Sequence, residues 1–319
     1  MKQPLIILTG PTAVGKTSLS IQLAKAIGGE IISADSMQVY RHMDIGSAKV
    51  TTEEMEGVPH YLIDVLEPDQ DFNVVTFQRM AREALREIYS HNHIPIIVGG
   101  TGFYIQALLY DIDFKENDED SPVRRELEAL AAREGNAAPG ILHGMLREID
   151  PESADQIHAN NVKRVIRAIE YYRLTGEKIS HHNQTERARE SPYNFLYYVV
   201  NTDRHLLYER IDRRVDQMME LGLVDEVSRL KAMGCHRGQT SMQGLGYKEI
   251  LDYLGGDCTL DEAVYVLKRD TRHFAKRQLT WFKRERDVRW LNLPEFGNDV
   301  EAVLKKMIED CVKVGIVVE

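Results

Sequence analysis

Four short apolar runs punctuate the chain: LIILTG (5–10), EIISAD (30–35), IPIIVGG (94–100) and FLYYVVNTD (195–203). Between them, apolar residues recur at helical spacing. Strands that are apolar without alternation are buried on both faces, as parallel strands covered by helices are. The pattern therefore predicts an α/β core built on a parallel sheet. NVVTFQRMAREALREIYSHN, over roughly 73–92, keeps one apolar face and predicts the helix that delivers the chain to the third strand. Its charged face reads as solvated.

After residue 110 the texture changes. DIDFKENDEDSP (111–122) is an acidic, turn-rich connector, and helical patterns follow at about 122–134, 139–148 and 161–175. The organisation expected is a first core segment (1–112), a helical insertion (113–190) and a return to the core that ends in a helical, basic part (191–319). A substrate-covering lid and plain helical decoration are both open readings of the insertion. RHLLYERIDRRVDQMMELGLVDEVSRLKAMG (204–234) predicts helix with breaks at Gly222 and Gly234.

With 319 residues and 43% hydrophobic content, the chain can bury a sizeable core. No stretch approaches the ~18 apolar residues of a membrane span, and MKQPLIIL enters the first strand without the pattern of a leader, so a cytoplasmic, membrane-free protein is expected. Cys235, Cys258 and Cys311 are few and widely spaced, which suggests neither a disulfide framework nor a metal site. His158, His181, His182 and His273 show no ligand-like spacing. Nothing in the pattern calls for self-association, and a monomer is expected.

The net charge of −10 hides a local reversal. KRDTRHFAKRQLTWFKRERDVRW (268–290) carries nine lysines and arginines against three carboxylates, and association with nucleic acid depends on such patches rather than on the total. In that stretch Phe274, Trp281 and Phe282 read as core residues under a basic helix more readily than as stacking platforms.

The most specific chemistry lies at the first strand. LIILTGPTAVGKT opens into G-x-x-x-x-G-K-T: Gly10, Pro11, Thr12, Ala13, Val14 and Gly15 form a loop whose backbone N–H groups can turn inward on phosphate. Lys16 adds a mobile ammonium, Thr17 a hydroxyl for Mg²⁺, and the following helix its N-terminus. This predicts a P-loop NTPase-like core that grips a phosphate chain. It does not say which one.

The second strand places Asp35, Ser36, Met37 and Gln38 at the carboxyl edge of the sheet, where open α/β sheets bind ligands. Asp35 reads as a base, a partner of Mg²⁺ or a helix cap. Gln38 carries the donor and acceptor that could read an adenine edge. GGTGFY (99–104) puts Thr101 at the same edge, with glycines that permit close backbone approach. The base-reading N-K-x-D of regulatory GTPases is missing.

GPTAVGKT, ADSMQVYRHMDIGSAK, GGTGFY, NNVKRVIRAIEYYRLTG, TDRHLLYERIDRRVDQMMELGLVDEV, SMQGLGYKEI and FAKRQLTWFKRE together closely resemble the bacterial tRNA dimethylallyltransferase family, in order from residue 5 to about 290. His42, Ser47 and Phe103 depart from its commoner residues without touching the presumed chemistry. The resemblance implies transfer of a dimethylallyl group from dimethylallyl diphosphate to the exocyclic amine of an adenosine beside the anticodon. It implies that Lys16, Mg²⁺ on Thr17, and Arg204 balance the diphosphate leaving group, with Asp35 the candidate base. Asp35, Ser36, Met37, Gln38 and Thr101 would face the adenosine. Arg124, Lys163, Arg164 and Arg167, the run Gln243, Gly244 to Lys248, and Lys276, Arg277, Lys283 and Arg284 would hold the tRNA anticodon stem-loop.

Three other readings remain open at this point. An adenylate dimethylallyltransferase would use the same donor but would not need the insertion or the basic C-terminal segment. A P-loop kinase would use Asp35 to activate a hydroxyl. A non-catalytic RNA-binding module would have no need of Lys16, Thr17 and Asp35 together.

Overall fold

In the computed structural model, which describes residues 2–112, 114 and 121–317, six strands form one sheet. They are β1 (Gln3–Thr9), β2 (Gly29–Ser33), β3 (His60–Tyr61), β4 (Ile94–Gly99), β5 (Tyr193–Asn201) and β6 (Val288–Asn292), in the order β3-β2-β4-β1-β5-β6. Every pairing is parallel. The four apolar runs are the four inner strands. The two edge strands, β3 and β6, were not foreseen: two residues cannot show a period, and VRWLN reads as the tail of a basic run.

Burial follows the apolar pattern. Leu5, Ile6, Ile7, Leu8, Ile96 and Ile97 have no exposed surface, and helices cover both faces. Burying each such side chain contributes about 1.5–3 kcal/mol. The helix Lys16–Ile27 leaves the phosphate loop and ends at Gly28, whose φ of 65° closes it in the left-handed conformation that glycine adopts without strain. The helix Val74–Ser90 starts where Asn73 Oδ1 accepts the N–H groups of Val75 and Thr76, both at 3.0 Å.

The chain divides into two compact units, Met1–Leu109 with Pro192–Glu319, and Tyr110–Ser191. Residues 113 and 115–120 of the acidic connector lie outside the described residues. The smaller unit contains the helices Pro122–Glu134, Ala138–Ile149, Pro151–Gln156, Val162–Thr175 and Ile179–Ala188 around Leu127, Leu142, Leu146, Val165 and Ile169. Among its buried carboxylates are Asp150 and Glu170. Asp150 accepts the hydroxyls of Ser153 and Ser180 at 2.7 and 2.8 Å, together with both their backbone N–H groups. Glu170 accepts Ser121 Oγ at 2.5 Å and pairs with Arg124 at 2.7 Å and Arg167 at 3.2 Å.

Candidate active site

The larger unit gathers its chemistry at the carboxyl edge of β2, β4, β1 and β5. Beyond β1, the phosphate loop bends through Gly10 (φ 149°), Ala13 (φ 62°) and Gly15 (φ 101°). Gly10 is irreplaceable on steric grounds, because a Cβ there would lie 2.3 Å from the Val200 carbonyl at the end of β5. Lys16 folds back over the loop, donating to the Gly10 carbonyl at 3.0 Å and the Pro11 carbonyl at 2.8 Å. Burial and then the Arg214 guanidinium push the Lys16 pKa down to about 8, against the opposing pull of Asp35. Thr17 stands exposed at the start of its helix.

Beyond β2, Asp35 Oδ1 accepts the N–H groups of Met37 at 2.8 Å and Gln38 at 3.3 Å, which fixes its carboxylate in a turn. Its charge reaches Lys16, Arg214 and Tyr104. Tyr104, pushed up to about 12 by burial and then by Asp35, stays a neutral phenol stacked on Phe77. Gln38 does not offer a free amide: its Oε1 accepts Ser33 Oγ at 3.3 Å, and its Nε2 donates to the Ala48 carbonyl at 3.1 Å and that of Ser47 at 3.4 Å. Here it braces the following loop rather than presenting both groups to a base.

Beyond β4, the glycines are close-approach positions. A Cβ on Gly99 would meet the Ala34 carbonyl oxygen at 2.4 Å, one on Gly100 the Gln278 amide at 2.0 Å, and one on Gly102 the Trp281 ring at 2.2 Å. Thr101, half-buried, therefore follows two contacts that pin its turn to the neighbouring strand and to the helix Leu260–Phe282. Phe103 stays 41% exposed with its ring 6.3 Å from that of Trp281.

Gln278 was not singled out in the sequence, yet it joins the site together. Its Oε1 accepts the Thr12 N–H at 3.0 Å and its Nε2 donates to the Gly100 carbonyl at 3.1 Å, so one buried amide ties the phosphate loop to the glycine turn. Two more residues went unnoticed. Arg214, on the helix Arg204–Glu220, is lowered by burial and supported by the charges of Asp35 and Glu54, which places it within electrostatic reach of Lys16. Glu226 accepts the N–H groups of Asp44 (3.0 Å), Ile45 (2.8 Å) and Gly46 (3.1 Å) and the Tyr247 hydroxyl (2.9 Å), clamping the loop after Gln38. Arg214 and Gln278 lie within helices, and nothing in their spacing marks them.

The expected site residues divide. Arg204 is exposed and stacks on Tyr208 at 5.2 Å, four residues after the Val200 that touches Gly10. Gly244 packs against Met37, since a Cβ there would stand 2.6 Å from its sulfur, while Gln243 donates to the Arg237 carbonyl and Lys248 lies 3.4 Å from Glu249. In the basic stretch, Lys268, Arg272 and Arg289 are spent on Asp216, Asp212 and Asp310. Lys276, Arg277, Lys283 and Arg284 are exposed without an ion pair among the described residues, and His273, Lys276, Arg277, Thr280, Trp281 and Arg284 line one open groove. Phe282 is fully buried, as expected for a core-side aromatic, whereas Phe274 is half-buried beneath Arg277 and Trp281 lines the groove.

In the smaller unit, Arg124 and Arg167, both expected at phosphates, pair with the fully buried Glu170 carboxylate while keeping part of their side chains exposed. Lys163 and Arg164 are exposed, with no ion pair among the described residues.

A parallel sheet whose carboxyl edge carries the G-x-x-x-x-G-K-T loop, a fixed carboxylate and a pinned glycine turn defines a P-loop NTPase-like fold. The sequence signature of the IPP transferase family matches residues 38–285, and the chain belongs to that family. It is 64% identical over 307 residues to the tRNA dimethylallyltransferase of Lachnoclostridium phytofermentans, spanning 96% of this chain and 97% of that one. The tRNA dimethylallyltransferase of Carboxydothermus hydrogenoformans is 50% identical over 97% of this chain and 98% of its own. The full-length tRNA isopentenylpyrophosphate transferase of Bacillus halodurans has a similar crystal structure, with a TM-score of 0.73 at 42% identity, covering 99% and 98% of the two chains. A eukaryotic dimethylallyltransferase acting on tRNA gives a TM-score of 0.78 at 29% identity over 91% of this chain and 74% of that one. No helix among the described residues is long and apolar enough to cross a membrane.

Proposed function

We propose that the protein transfers the dimethylallyl group of dimethylallyl diphosphate to N6 of the adenosine 3′ of the anticodon, in tRNAs that read codons beginning with U. The products are N6-isopentenyladenosine and diphosphate. The observation that carries this reading is the joining, through Gln278, of a phosphate loop and the Asp35–Thr101 edge to a helix that, with the turn after it, carries four cations without an ion pair among the described residues. A small acceptor or a phosphoryl transfer would have no use for those cations.

The reaction forms a bond from N6 to the allylic carbon and breaks the bond from that carbon to the diphosphate oxygen. Electrons leave with the diphosphate, where Lys16, Arg214 and, from the end of β5, Arg204 balance the growing charge. Diphosphate beside Lys16 favours its protonated form and so restores the charge that burial and Arg214 oppose. The exocyclic amine is a poor nucleophile because its lone pair is delocalised, and Asp35 takes its proton as the bond forms. Asp35 is held for this by the Met37 and Gln38 N–H groups. The loops after β2 and β4, with Ser36, Met37 and Thr101, receive the extruded base.

Mg²⁺ fits the donors present, since the exposed Thr17 hydroxyl and the nearby Asp35 are hard oxygen ligands that leave room for diphosphate and water. When bound, it supplies further neutralisation of the leaving group. The anticodon stem-loop contacts Lys276, Arg277, Lys283 and Arg284 through its phosphates, and the helical unit adds Lys163 and Arg164. The protein works as a cytoplasmic monomer in this reading.

The test is incubation with Mg²⁺ and labelled dimethylallyl diphosphate, offering an unmodified anticodon stem-loop or AMP. Label in the RNA, lost with Asp35→Asn, is expected. Label in AMP alone, or ATP consumption without label transfer, would overturn the reading.

A further inference from the structure

The opposite edge of the sheet holds a cluster that the phosphate chemistry does not use. Glu30, the second residue of β2, has a side chain only 3% exposed, yet two imidazoles converge on one of its oxygens. His93 Nδ1 lies 2.5 Å and His91 Nδ1 3.1 Å from Glu30 Oε1, and the Tyr61 hydroxyl donates to Oε2 at 2.7 Å. All three ligand-type atoms fall within 4.8 Å of one another.

The imidazoles are preorganised by the backbone. The helix Val74–Ser90 ends in a turn where the Asn92 N–H reaches the Tyr89 carbonyl at 3.0 Å and the His93 N–H that of Ile88 at 3.2 Å. Asn92 takes the left-handed position at φ 60°, which asparagine tolerates. That reversal brings His91 and His93 to one side, with ring planes at 74° to each other. Both rings are just under half exposed, 45% and 46%, which leaves an entry from solvent.

We propose that Glu30, His91 and His93 form a binding site for a late first-row divalent cation, best matched by Zn²⁺, at the amino-terminal edge of the sheet. Two imidazoles and one carboxylate with an open fourth position form a donor set that suits Zn²⁺ and disfavours Mg²⁺. Tetrahedral bonds of ordinary length set ligand atoms roughly 3.4 Å apart. His91 and Glu30 are close to that spacing, and His93 reaches it by a small rotation of a ring that faces solvent. The hydrogen bond from Tyr61 to the remaining carboxylate oxygen is the outer support that metal-bound carboxylates require.

The ion would staple three elements: the end of the helix Val74–Ser90 and the first residues of β2 and β4, which pair as Gly29 with Ile94. Its role is stabilisation. β2 has five residues, so the site stands roughly 15 Å along the strand from the edge that carries Asp35.

The test uses full-length protein stripped with a chelator. Zn²⁺ is titrated against a chromogenic competitor, Co²⁺ is followed by its visible absorption, and thermal unfolding is recorded with and without Zn²⁺. One equivalent should bind, with a tetrahedral-type Co²⁺ spectrum, a Zn²⁺-dependent rise in Tm and no displacement by excess Mg²⁺. The double variant His91→Ala with His93→Ala, in which the Tyr61 hydroxyl still serves the buried Glu30 carboxylate, should bind at least about tenfold more weakly and lose the Zn²⁺-dependent rise in Tm above its own metal-free value. Absence of a bound equivalent in the native protein, or equal binding by the double variant, would overturn the proposal.

Discussion

Two places, the buried Glu170 cluster of the helical unit and the phosphate-loop side of the larger unit, treat charge in opposite ways. In the helical unit, Arg124 and Arg167 close on the buried Glu170, and Asp150 is satisfied by four donors from two serines. In the larger unit, the buried Lys16 is pushed down by burial and then by Arg214, and Lys276, Arg277, Lys283 and Arg284 stand without an ion pair among the described residues. Charge that is cancelled holds a fold together. Charge that is left over is available to a polyanion. A basic residue in a sequence can belong to either class, and only a facing carboxylate tells them apart.

The sharpest way to break the contrast is Asp35→Asn. Loss of a positioned base should lower kcat by roughly 10²–10⁴-fold, while Tm changes little, because the amide oxygen can still accept from Met37 and Gln38. A large fall in Tm would make Asp35 structural. Glu170→Ala should do the reverse, destabilising the helical unit by about 3–5 kcal/mol, because two partly buried guanidinium groups lose their partner. Denaturant unfolding measures this, and an unchanged midpoint would remove the distinction between the units. The Glu170 carboxyl, pushed up by burial but pulled below its usual range by Ser121, Arg124 and Arg167, should supply stability above its ordinary value that is lost as pH falls through its folded value.

Gln278→Leu sharpens the comparison from the other side. It leaves the Thr12 N–H and the Gly100 carbonyl unpaired and should cost about 1–3 kcal/mol, with weaker donor binding as well as lower stability. Unaltered donor affinity would show that the phosphate loop keeps its shape unaided. Replacing Lys276, Arg277, Lys283 and Arg284 together by Ala should raise KM for tRNA, leave donor binding alone and flatten the plot of log affinity against log salt by roughly three. An unchanged slope would take these residues off the RNA.

The smallest effect is in pH. The folded Lys16 value, about 8, lies below the ordinary one of 10.5, so its ammonium is lost as pH rises through about 8 and diphosphate affinity should fall there. Folding stability responds with the opposite sign. Between those two values the unfolded chain binds more protons, so this lysine's contribution rises with pH. Isothermal titration across that window, with Lys16→Met as control, separates the two.

The core was legible wherever one residue's surroundings are local. Unbroken apolar runs gave the inner strands, and G-x-x-x-x-G-K-T gave the loop because glycine, lysine and threonine act within a single turn. Edge strands β3 and β6 escaped, one being too short and one too charged. Residues that act across the fold escaped too. Gln278 works by reaching Thr12 and Gly100, Glu226 by reaching three N–H groups near residue 45, and Arg214 by lying near Lys16. For the same reason the pairing of Arg124 with Glu170, 46 residues away, left no mark in the sequence.

The order of strands has a bearing on how the chain is made. β1 sits between β4 and β5, but β4 ends at Gly99 and β5 begins at Tyr193. At ~5–20 residues per second, a ribosome spends roughly 5–20 s on the intervening stretch. Throughout that interval β1, the strand that leads into the phosphate loop, has one unpaired side in the nascent chain, and Gly10 has no Val200 carbonyl to rest against. The contiguous helical unit is synthesised during this wait and brings its own apolar centre. The phosphate grip is thus encoded first and closed only after the whole helical unit and the fifth strand have emerged.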